Sequence, residues 1–195
     1  GVTTNPTLLS QVEGDEDSIY RRICELVDGP ISAEVVANDV PTMISEGKRL
    51  AAIHPNIVVK LPTCAEGLSA TSALAKDGIR VNMTLCFTAS QAMLAASAGA
   101  AFVSPFLGRF DDISEDGLGH LGEIVECFAN SLYETEVLAA SIRSPLHVME
   151  AARIGADIAT IPPKVFHQML KHPLTGSGID QFNKDHAGRL AKQGA

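Results

Sequence analysis

Apolar and polar residues along the chain follow two alternating patterns, one typical of buried strands and the other of amphipathic helices. Short runs rich in β-branched residues are followed by longer stretches in which apolar residues recur at helical spacing. About seven strands are predicted, at residues 2–3, 31–36, 57–61, 80–87, 101–104, 136–141 and 157–161. Helices are predicted at residues 15–27, 39–53, 65–76, 89–98, 118–130, 145–154, 163–171 and about 178–192. A turn is predicted at Asn5 and Pro6, and a loop at residues 108–112.

This strict alternation predicts an α/β fold with a parallel sheet. Two architectures fit it: an open doubly wound sheet and a closed (β/α)8 TIM barrel. No Gly-x-Gly-x-x-Gly motif follows the first strand, which disfavours the dinucleotide-binding form of the open sheet. Polar residues end several strands in succession, as in barrels whose site groups converge on one mouth. We therefore expect one (β/α)8 barrel domain over residues 1–195, with only about seven strands in this chain.

Composition excludes several classes of partner. Hydrophobic residues make up 46% of the chain and charged residues 19%, which is typical of a globular protein. The formal net charge of -8 leaves no basic surplus for nucleic acid or an anionic membrane. A small phosphate ester is still possible, because one or two arginines are enough to bind it. The most apolar window, residues 92–107, contains serine, glycine and proline and is too short to span a bilayer.

The four cysteines are far apart and show no spacing typical of a metal site. We interpret them as free thiols in a reducing compartment, and we expect a cytoplasmic protein with no metal.

One lysine stands in an unusual context. Lys60 lies near the end of the apolar run 57–61, which is typical of a strand buried on both faces. Burial favours the neutral amine, and a neutral amine can attack a carbonyl to form a Schiff base. The alternative is a strand-end lysine whose stem lies on apolar surface while its ammonium group reaches water.

Polar residues at the same end of other strands favour the catalytic interpretation. Asn5, Glu34, Lys60, Thr84 and Ser141 all fall late in a predicted strand or directly after one. In a barrel these ends meet at one mouth. As a site residue, Glu34 would balance the charge of Lys60 and orient a water molecule. Alternatively, Glu34 pairs with an arginine, and Thr84 is simply a strand-forming residue.

Two arginines follow strand ends and suggest a phosphate site. Arg109 and Arg143 could form a bidentate clamp on a phosphate group. The alternative for each is a surface ion pair, for Arg109 with Asp111 or Asp112. His147 lies within a helical pattern, and we expect it to pack rather than to take part in catalysis.

Seven blocks of sequence resemble those of the short-chain transaldolases, in the same order and over essentially the whole chain. They are residues 1–7 (GVTTNPT), 32–35 (SAEV), 58–62 (VVKLP), 82–85 (NMTL), 103–109 (VSPFLGR), 140–143 (ASIR) and 171–175 (KHPLT). The sister group, the fructose-6-phosphate aldolases, tends to carry glutamine at the position of Glu34 and tyrosine at that of Phe106. Both positions here are similar to transaldolase.

The resemblance implies roles for ten residues. Lys60 matches the Schiff-base lysine, and Glu34 and Thr84 match the pair that holds the catalytic water. The implied substrate-binding residues are Asn5, Asn82, Ser104, Phe106, Arg109, Ser141 and Arg143, of which Arg109, Ser141 and Arg143 match the phosphate site. The family needs no metal or organic cofactor, because the iminium itself withdraws the electrons.

The resemblance also implies the reaction and the assembly. Members of the family move a dihydroxyacetone unit from fructose 6-phosphate or sedoheptulose 7-phosphate to an aldose phosphate, in the pentose phosphate pathway. Short members are ring-shaped homo-oligomers, which implies a pentamer or a decamer here, with the last helix packed on a neighbour.

One part of the family pattern has no match. The family's first strand carries an aspartate that acts as acid and base in carbon–carbon cleavage, and this strand would precede Gly1. We therefore expect an N-terminally incomplete barrel. Loss of a positioned acid or base costs about 10²- to 10⁴-fold in rate. Two alternatives to a transaldolase stay open: an aldolase that uses free dihydroxyacetone and, because of this departure, a sugar-phosphate-binding barrel without catalysis.

Overall fold

A computed structural model of the chain describes residues 1–193, so the last two residues of the predicted domain lie outside the described residues. Strands and helices alternate along it. The strands are β1 (Val2–Thr3), β2 (Ile31–Glu34), β3 (Ile57–Pro62), β4 (Val81–Cys86), β5 (Phe102–Pro105), β6 (Glu136–Ala139) and β7 (Ile158–Ala159). The helices are α1 (Pro6–Leu9), α2 (Glu16–Leu26), α3 (Val40–Ala51), α4 (Ala65–Lys76), α5 (Ala89–Ser97), α6 (Leu107–Asp111), α7 (Gly117–Ala129), α8 (Pro145–Ile154), α9 (Pro163–Met169) and α10 (Pro173–Gln193).

The seven strands form one parallel sheet in the order β1 to β7. Each strand pairs with the next one along the chain, so the order never reverses as it does in a doubly wound sheet. The sheet is curled, and the Oγ1 atoms of Thr3, in β1, and Thr160, just after β7, lie 2.6 Å apart. This arrangement confirms the predicted fold class: a (β/α) barrel with seven strands among the described residues.

The register of the central strands determines which polar residues lie side by side. Glu34 in β2 lies beside Lys60 in β3, which in turn lies beside Asn82 in β4. Thr84 lies beside Pro62, two residues further along the strands. Since side chains two apart on a strand share a face, Lys60, Asn82 and Thr84 all belong to the inner face of the curl.

The hydrophobic core lies between the outer face of the sheet and the surrounding helices. Along β3, Ile57, Val59 and Leu61 belong to the core cluster, whereas Val58 and Lys60 alternate onto the inner face. Leu74 of α4 and other aliphatic and alanine side chains from the helices complete the cluster. The core therefore consists mainly of aliphatic side chains, and the inner face is left for polar groups.

Several predicted helix ends are confirmed by their caps. The Asp39 side chain accepts a hydrogen bond from the Thr42 backbone N–H at the start of α3, as expected of an N-cap. Gly155 ends α8 in the left-handed conformation with a φ of 100°. These features depend on local sequence, which explains why the pattern alone located them.

Three elements differ from the prediction because short-range chemistry favours a helix. The predicted turn at Asn5 is the N-cap of the one-turn helix α1, where the Asn5 side chain accepts from the Leu8 N–H and Pro6 starts the helix. The predicted loop at residues 108–112 is largely the short helix α6. Helix α10 begins at Pro173, about five residues earlier than predicted, since its glycines at positions 176 and 178 hide the helical pattern.

No helix among residues 1–193 combines the length and hydropathy needed to cross a membrane.

The sixth strand is shorter than predicted. Strand β6 ends at Ala139, and Ser141 has a φ of 55°, in the left-handed region that interrupts an extended backbone. The predicted end of this strand at Ser141 is therefore wrong, and Ser141 and Arg143 lie on the connection between β6 and α8.

Candidate active site

A cavity of about 240 Å³ lies at the carboxyl ends of the strands. Eight of the ten predicted site residues line it: Asn5, Lys60, Asn82, Ser104, Phe106, Arg109, Ser141 and Arg143. Thr3, Leu138, Ala140 and Thr160 complete the lining and were not singled out from the sequence. The other two predicted residues, Glu34 and Thr84, belong to the strands on either side of the one that carries Lys60.

Lys60 is buried beneath this cavity, with only 6% of its surface exposed. Its Nζ donates to Glu34 Oε2 at 2.9 Å and to the backbone oxygen of Thr4 at 3.0 Å. The alternative in which the ammonium group reaches water is therefore wrong. A buried amine held by two acceptors has a fixed position at the bottom of the cavity.

Glu34 is the charge partner of this lysine. Its side chain is also largely buried, and its partner is Lys60 rather than an arginine. The two residues are adjacent in the register of β2 and β3, so the sheet itself brings them together. A buried pair of this kind gives each charge the compensation that water would otherwise supply.

Thr84 contributes a buried hydroxyl on the neighbouring strand. The residue is fully buried, and its Oγ1 makes no hydrogen bond with any residue that the structure describes. Buried side-chain hydroxyls nearly always have a partner. Thr84 Oγ1 is therefore available to bind a small polar molecule near Lys60.

A chain of buried hydrogen bonds crosses the inner face and fixes one amide. The Nδ2 of Asn82 donates to Ser32 Oγ at 3.1 Å, and its Oδ1 accepts from Ser104 Oγ at 2.7 Å. These two bonds hold the Asn82 amide between two serine hydroxyls. Ser32, which the sequence did not single out as a site residue, thus supports Asn82 together with Ser104.

A second buried network supports Lys60 from the side of β1. Thr4, whose carbonyl accepts from Lys60, donates its hydroxyl to the Ser32 backbone oxygen at 2.8 Å. The same hydroxyl lies 3.2 Å from the Tyr20 phenol of helix α2, and burial raises the pKa of that phenol. Sequence reasoning missed Thr4 and Tyr20, because only the fold brings residues 4, 20 and 60 together.

The two arginines have different surroundings. Arg109 is exposed, and its guanidinium lies 5.4 Å from the centre of the Phe106 ring, a cation–π arrangement. It makes no ion pair with any acidic residue among residues 1–193, so the proposed pairing with Asp111 or Asp112 is wrong. An exposed guanidinium at the rim of a cavity is available to an anion.

Arg143 does take part in a surface ion pair, as the alternative interpretation expected. Its Nη2 donates to Asp112 Oδ2 at 3.0 Å. The side chain passes over Gly108, where an added Cβ would collide with Arg143 Nε and with the backbone oxygen of Ser141. Glycine at position 108 therefore allows Arg143 to lie close to helix α6 and reach the cavity.

The cysteines do not supply a competing nucleophile at this site. All four are free thiols, and none lines the cavity. Cys86 is fully buried, and burial raises the pKa of its thiol to about 11, which suppresses the reactive thiolate. Among the residues that line the cavity, Lys60 is the only one that carries an amine.

Comparison with known proteins identifies the family. The sequence profile described as Transaldolase/Fructose-6-phosphate aldolase matches residues 1–194. The chain belongs to the transaldolase/fructose-6-phosphate aldolase family. This result confirms the resemblance seen in the sequence blocks, and it supports an enzyme of the transaldolase or aldolase type.

Several curated relatives of this transaldolase-family chain are named probable transaldolases. One from Moorella thermoacetica is 57% identical over 185 residues, covering 95% of this chain and 86% of that protein. One from Clostridium tetani is 55% identical over 186 residues, covering 95% of this chain and 87% of that protein. A third, from Clostridioides difficile, is 53% identical over 192 residues, covering 98% and 89%.

Solved structures show the same fold at low sequence identity. An inosine 5'-monophosphate dehydrogenase from Legionella pneumophila aligns with a TM-score of 0.58 at 12% identity, covering 78% of this chain and 49% of that one. A mandelate oxidase variant aligns with a TM-score of 0.53 at 17% identity, covering 72% of this chain and 50% of that one. The transaldolase-family chain spans about half the length of these structures, and the likeness concerns the fold alone.

Proposed function

We propose that this chain is a transaldolase that transfers a dihydroxyacetone unit from a ketose phosphate to an aldose phosphate through a Schiff base on Lys60. The donor would be sedoheptulose 7-phosphate or fructose 6-phosphate, in the pentose phosphate pathway. The observation that carries the proposal is the buried Lys60 amine, paired with Glu34 at the bottom of a cavity whose rim holds two arginines. No metal or organic cofactor enters the reaction that we propose.

The first steps follow from the contacts of Lys60. The carboxylate of Glu34, 2.9 Å from Nζ, can accept the proton that the ammonium must lose before it attacks the ketose C2 carbonyl. Attack forms a C–N bond and a carbinolamine, which loses its hydroxyl as water to give the iminium. Glu34 and the unpaired hydroxyl of Thr84 would hold this water as it leaves and, later, as it returns to hydrolyse the product.

The iminium then accepts the electrons of the C3–C4 bond. When this bond breaks, a base takes the proton of the C4 hydroxyl, the aldose product leaves, and the three-carbon unit remains on Lys60 as an enamine. The family's aspartate for this step has no counterpart that we identify among residues 1–193. Asn5, Asn82, Ser104 and Phe106 line the space for the sugar hydroxyls. Addition of the enamine to a second aldose, followed by hydrolysis, completes the transfer.

Borohydride trapping with fructose 6-phosphate tests the proposal. Borohydride reduces an iminium to a stable amine, so intact mass and peptide mapping would reveal an adduct on Lys60. An adduct with the mass of a dihydroxyacetone unit would mean that the carbon–carbon bond is cleaved. An adduct with the whole sugar phosphate would mean that the Schiff base forms and cleavage stalls. Absence of any adduct would contradict the Schiff-base mechanism and favour a binding protein.

The related aldolase activity is the main alternative. Glu34 and Phe106 are similar to transaldolase rather than to the sister group, which favours transfer. Erythrose 4-phosphate should therefore accept the three-carbon unit. Release of free dihydroxyacetone at the same rate with and without this acceptor would instead assign the chain to the fructose-6-phosphate aldolase type.

The phosphate group of the substrate would bind to Arg109, Ser141 and Arg143. Replacement of Arg143 by alanine removes a charge-assisted contact, worth about 1.5–3 kcal/mol. We expect Arg143→Ala to raise the KM for fructose 6-phosphate by about 10- to 100-fold and to leave the KM for unphosphorylated fructose unchanged. Steady-state kinetics with both sugars provide the measurement.

A matched control lies on the same part of the fold. Arg153 in helix α8 is also exposed and also forms an ion pair, with Glu150, but it does not line the cavity. Arg153→Ala should therefore leave both KM values unchanged. An equal rise in the two KM values for Arg143→Ala would remove the phosphate role of Arg143.

We further propose a homo-oligomeric ring, a pentamer or a decamer, with α10 packed on a neighbouring copy. Helix α10 has no buried residue, and Ile179, Phe182 and Leu190 recur at helical spacing on one side of it, all exposed. Sedimentation equilibrium should give five or ten times the chain mass of 20.6 kDa. Phe182→Asp should reduce this mass, whereas the same change at the exposed loop residue Leu132 should not. A monomeric wild-type chain would contradict the proposal.

The proposed location is the cytoplasm. Its support is the presence of four free thiols, since free cysteines are typical of a reducing compartment.

A further inference from the structure

The connection between β6 and α8, which carries Ser141 and Arg143, is attached to helix α6. The backbone N–H groups of Leu107 and Gly108 donate to the carbonyls of Ala140 and Ser141, each at 3.0 Å. These two bonds bring the start of α6 against the start of the connection. Since Arg109 is itself part of α6, the attachment determines how the two arginines of the cavity lie relative to each other.

Two carboxylates of the same region hold the far end of this connection. Asp112, directly after α6, accepts from the Arg143 guanidinium at 3.0 Å. Asp111, the last residue of α6, lies 3.2 Å from Nε2 of His147. The His147 imidazole thus joins helix α8 to helix α6 beside the phosphate-binding residues.

His147 also contacts the connection itself. Its Nδ1 accepts a hydrogen bond from the backbone N–H of Arg143 at 3.3 Å. Because Nδ1 is an acceptor, the neutral ring carries its proton on Nε2, the nitrogen that lies 3.2 Å from Asp111 Oδ2. The side chain is only 13% exposed, so water competes little for these two contacts.

The first turn of α8 keeps the imidazole in this position. Ser144 is the N-cap of the helix, and its hydroxyl accepts from the His147 backbone N–H at 3.3 Å. His147 stands at the third helical position, where a capping box has glutamate or glutamine that bonds back to the N-cap. Here the side chain reaches one residue further back and accepts from the backbone N–H of Arg143. The capped first turn of α8 is thereby bonded to a residue that lines the cavity.

We propose that His147 is a positioning residue for the phosphate end of the site. By accepting the backbone N–H of Arg143 and contacting the Asp111 carboxylate, it fixes the arginine relative to helix α6 and therefore relative to Arg109. It does not line the cavity and is not expected to touch substrate. The proposal rests on the function proposed above, since it assigns the purpose of the contact to phosphate binding.

Glucitol 6-phosphate is the probe that isolates this role. It carries the phosphate and hydroxyls of the substrate but no carbonyl, so its binding does not require a Schiff base. Titration calorimetry should show that His147→Ala weakens the binding of glucitol 6-phosphate by about three- to tenfold. This is the change in affinity that corresponds to the loss of about one hydrogen bond. His147→Asn should recover most of the affinity, because its Oδ1 can replace Nδ1 as the acceptor for the Arg143 N–H.

Two further variants separate positioning from general damage. Asp111→Ala changes an exposed residue and should weaken binding in the same direction, with no additional loss when combined with His147→Ala. His54→Ala is the control: His54 also accepts one backbone N–H, from Asn56, but it precedes β3 at the opposite end of the barrel. It should not change the affinity for glucitol 6-phosphate.

Trapping of fructose 6-phosphate and of fructose distinguishes the possible failures. For His147→Ala we expect reduced trapping at low concentrations of fructose 6-phosphate and unchanged trapping of fructose. If the wild type forms the Lys60 adduct but His147→Ala retains wild-type affinity for glucitol 6-phosphate, the positioning role is wrong. Equal losses for both sugars would also overturn it. If the wild type binds glucitol 6-phosphate but never forms the adduct, the proposed reaction fails, while the affinity series still decides the role of His147.

Discussion

Lys60→Met abolishes the borohydride-trapped adduct and lowers turnover by about 10⁴-fold or more, if the proposed mechanism holds. Methionine keeps the length and much of the volume of the side chain but has no amine to attack a carbonyl. The effect should be large because Lys60 is the only lysine that lines the cavity among the described residues. Intact mass after reduction, together with a coupled assay of transfer to erythrose 4-phosphate, provides the measurement.

The matched control for this change is Lys48→Met. Lys48 is half-exposed and forms a surface ion pair with Asp77, far from the cavity lining. That variant should be trapped and should turn over like the wild type. If Lys60→Met still forms the adduct at the wild-type level, the nucleophile is another residue and the central assignment is refuted.

Glu34→Ala lowers the free energy of unfolding by about 3–5 kcal/mol, the second large effect that we expect. The change leaves the Lys60 ammonium buried with only the Thr4 carbonyl as acceptor, and an uncompensated buried charge is strongly destabilising. Urea unfolding at neutral pH, followed by circular dichroism, provides the measurement.

A double-mutant cycle shows whether the loss comes from the unpaired charge. Removal of both partners of a buried pair is often nearly neutral, so Glu34→Ala with Lys60→Met should be more stable than Glu34→Ala alone. The exposed pair Lys48–Asp77 provides the control, because a surface ion pair contributes only about 0–1 kcal/mol. A loss at Glu34 no larger than this would contradict a buried ion pair.

The ion pair also illustrates what sequence reasoning could and could not find. The run 57–61 identified a buried strand, and a lysine within it was noticeable because lysine is rarely buried. Nothing local indicated that its partner would be Glu34, 26 residues earlier, rather than an arginine. The register of β2 against β3 made that choice, since it places the two residues side by side.

The arginines show the same limit. Both follow a predicted strand and both line the cavity, whereas their binding of phosphate stays a prediction. Their surroundings could not be distinguished: Arg109 lies near the Phe106 ring, whereas Arg143 pairs with Asp112. The difference arises from the short helix α6, which carries Arg109 and is followed directly by Asp112, the partner of Arg143. The sequence pattern had suggested a loop there, because five residues are too few to show helical periodicity.

The sequence by itself determined the alternation of strands and helices, the start of one helix at Asp39 and the end of another before Gly155, and the family to which the chain belongs. These features depend on residues close together along the chain, where periodicity, capping and turn chemistry act directly. Only the tertiary structure decided the contacts around Lys60, the hydrogen bonds of Asn82 with Ser32 and Ser104, and the attachment of the arginine-bearing connection to α6. Those contacts join residues far apart in sequence, and strand register and sheet curvature bring them together.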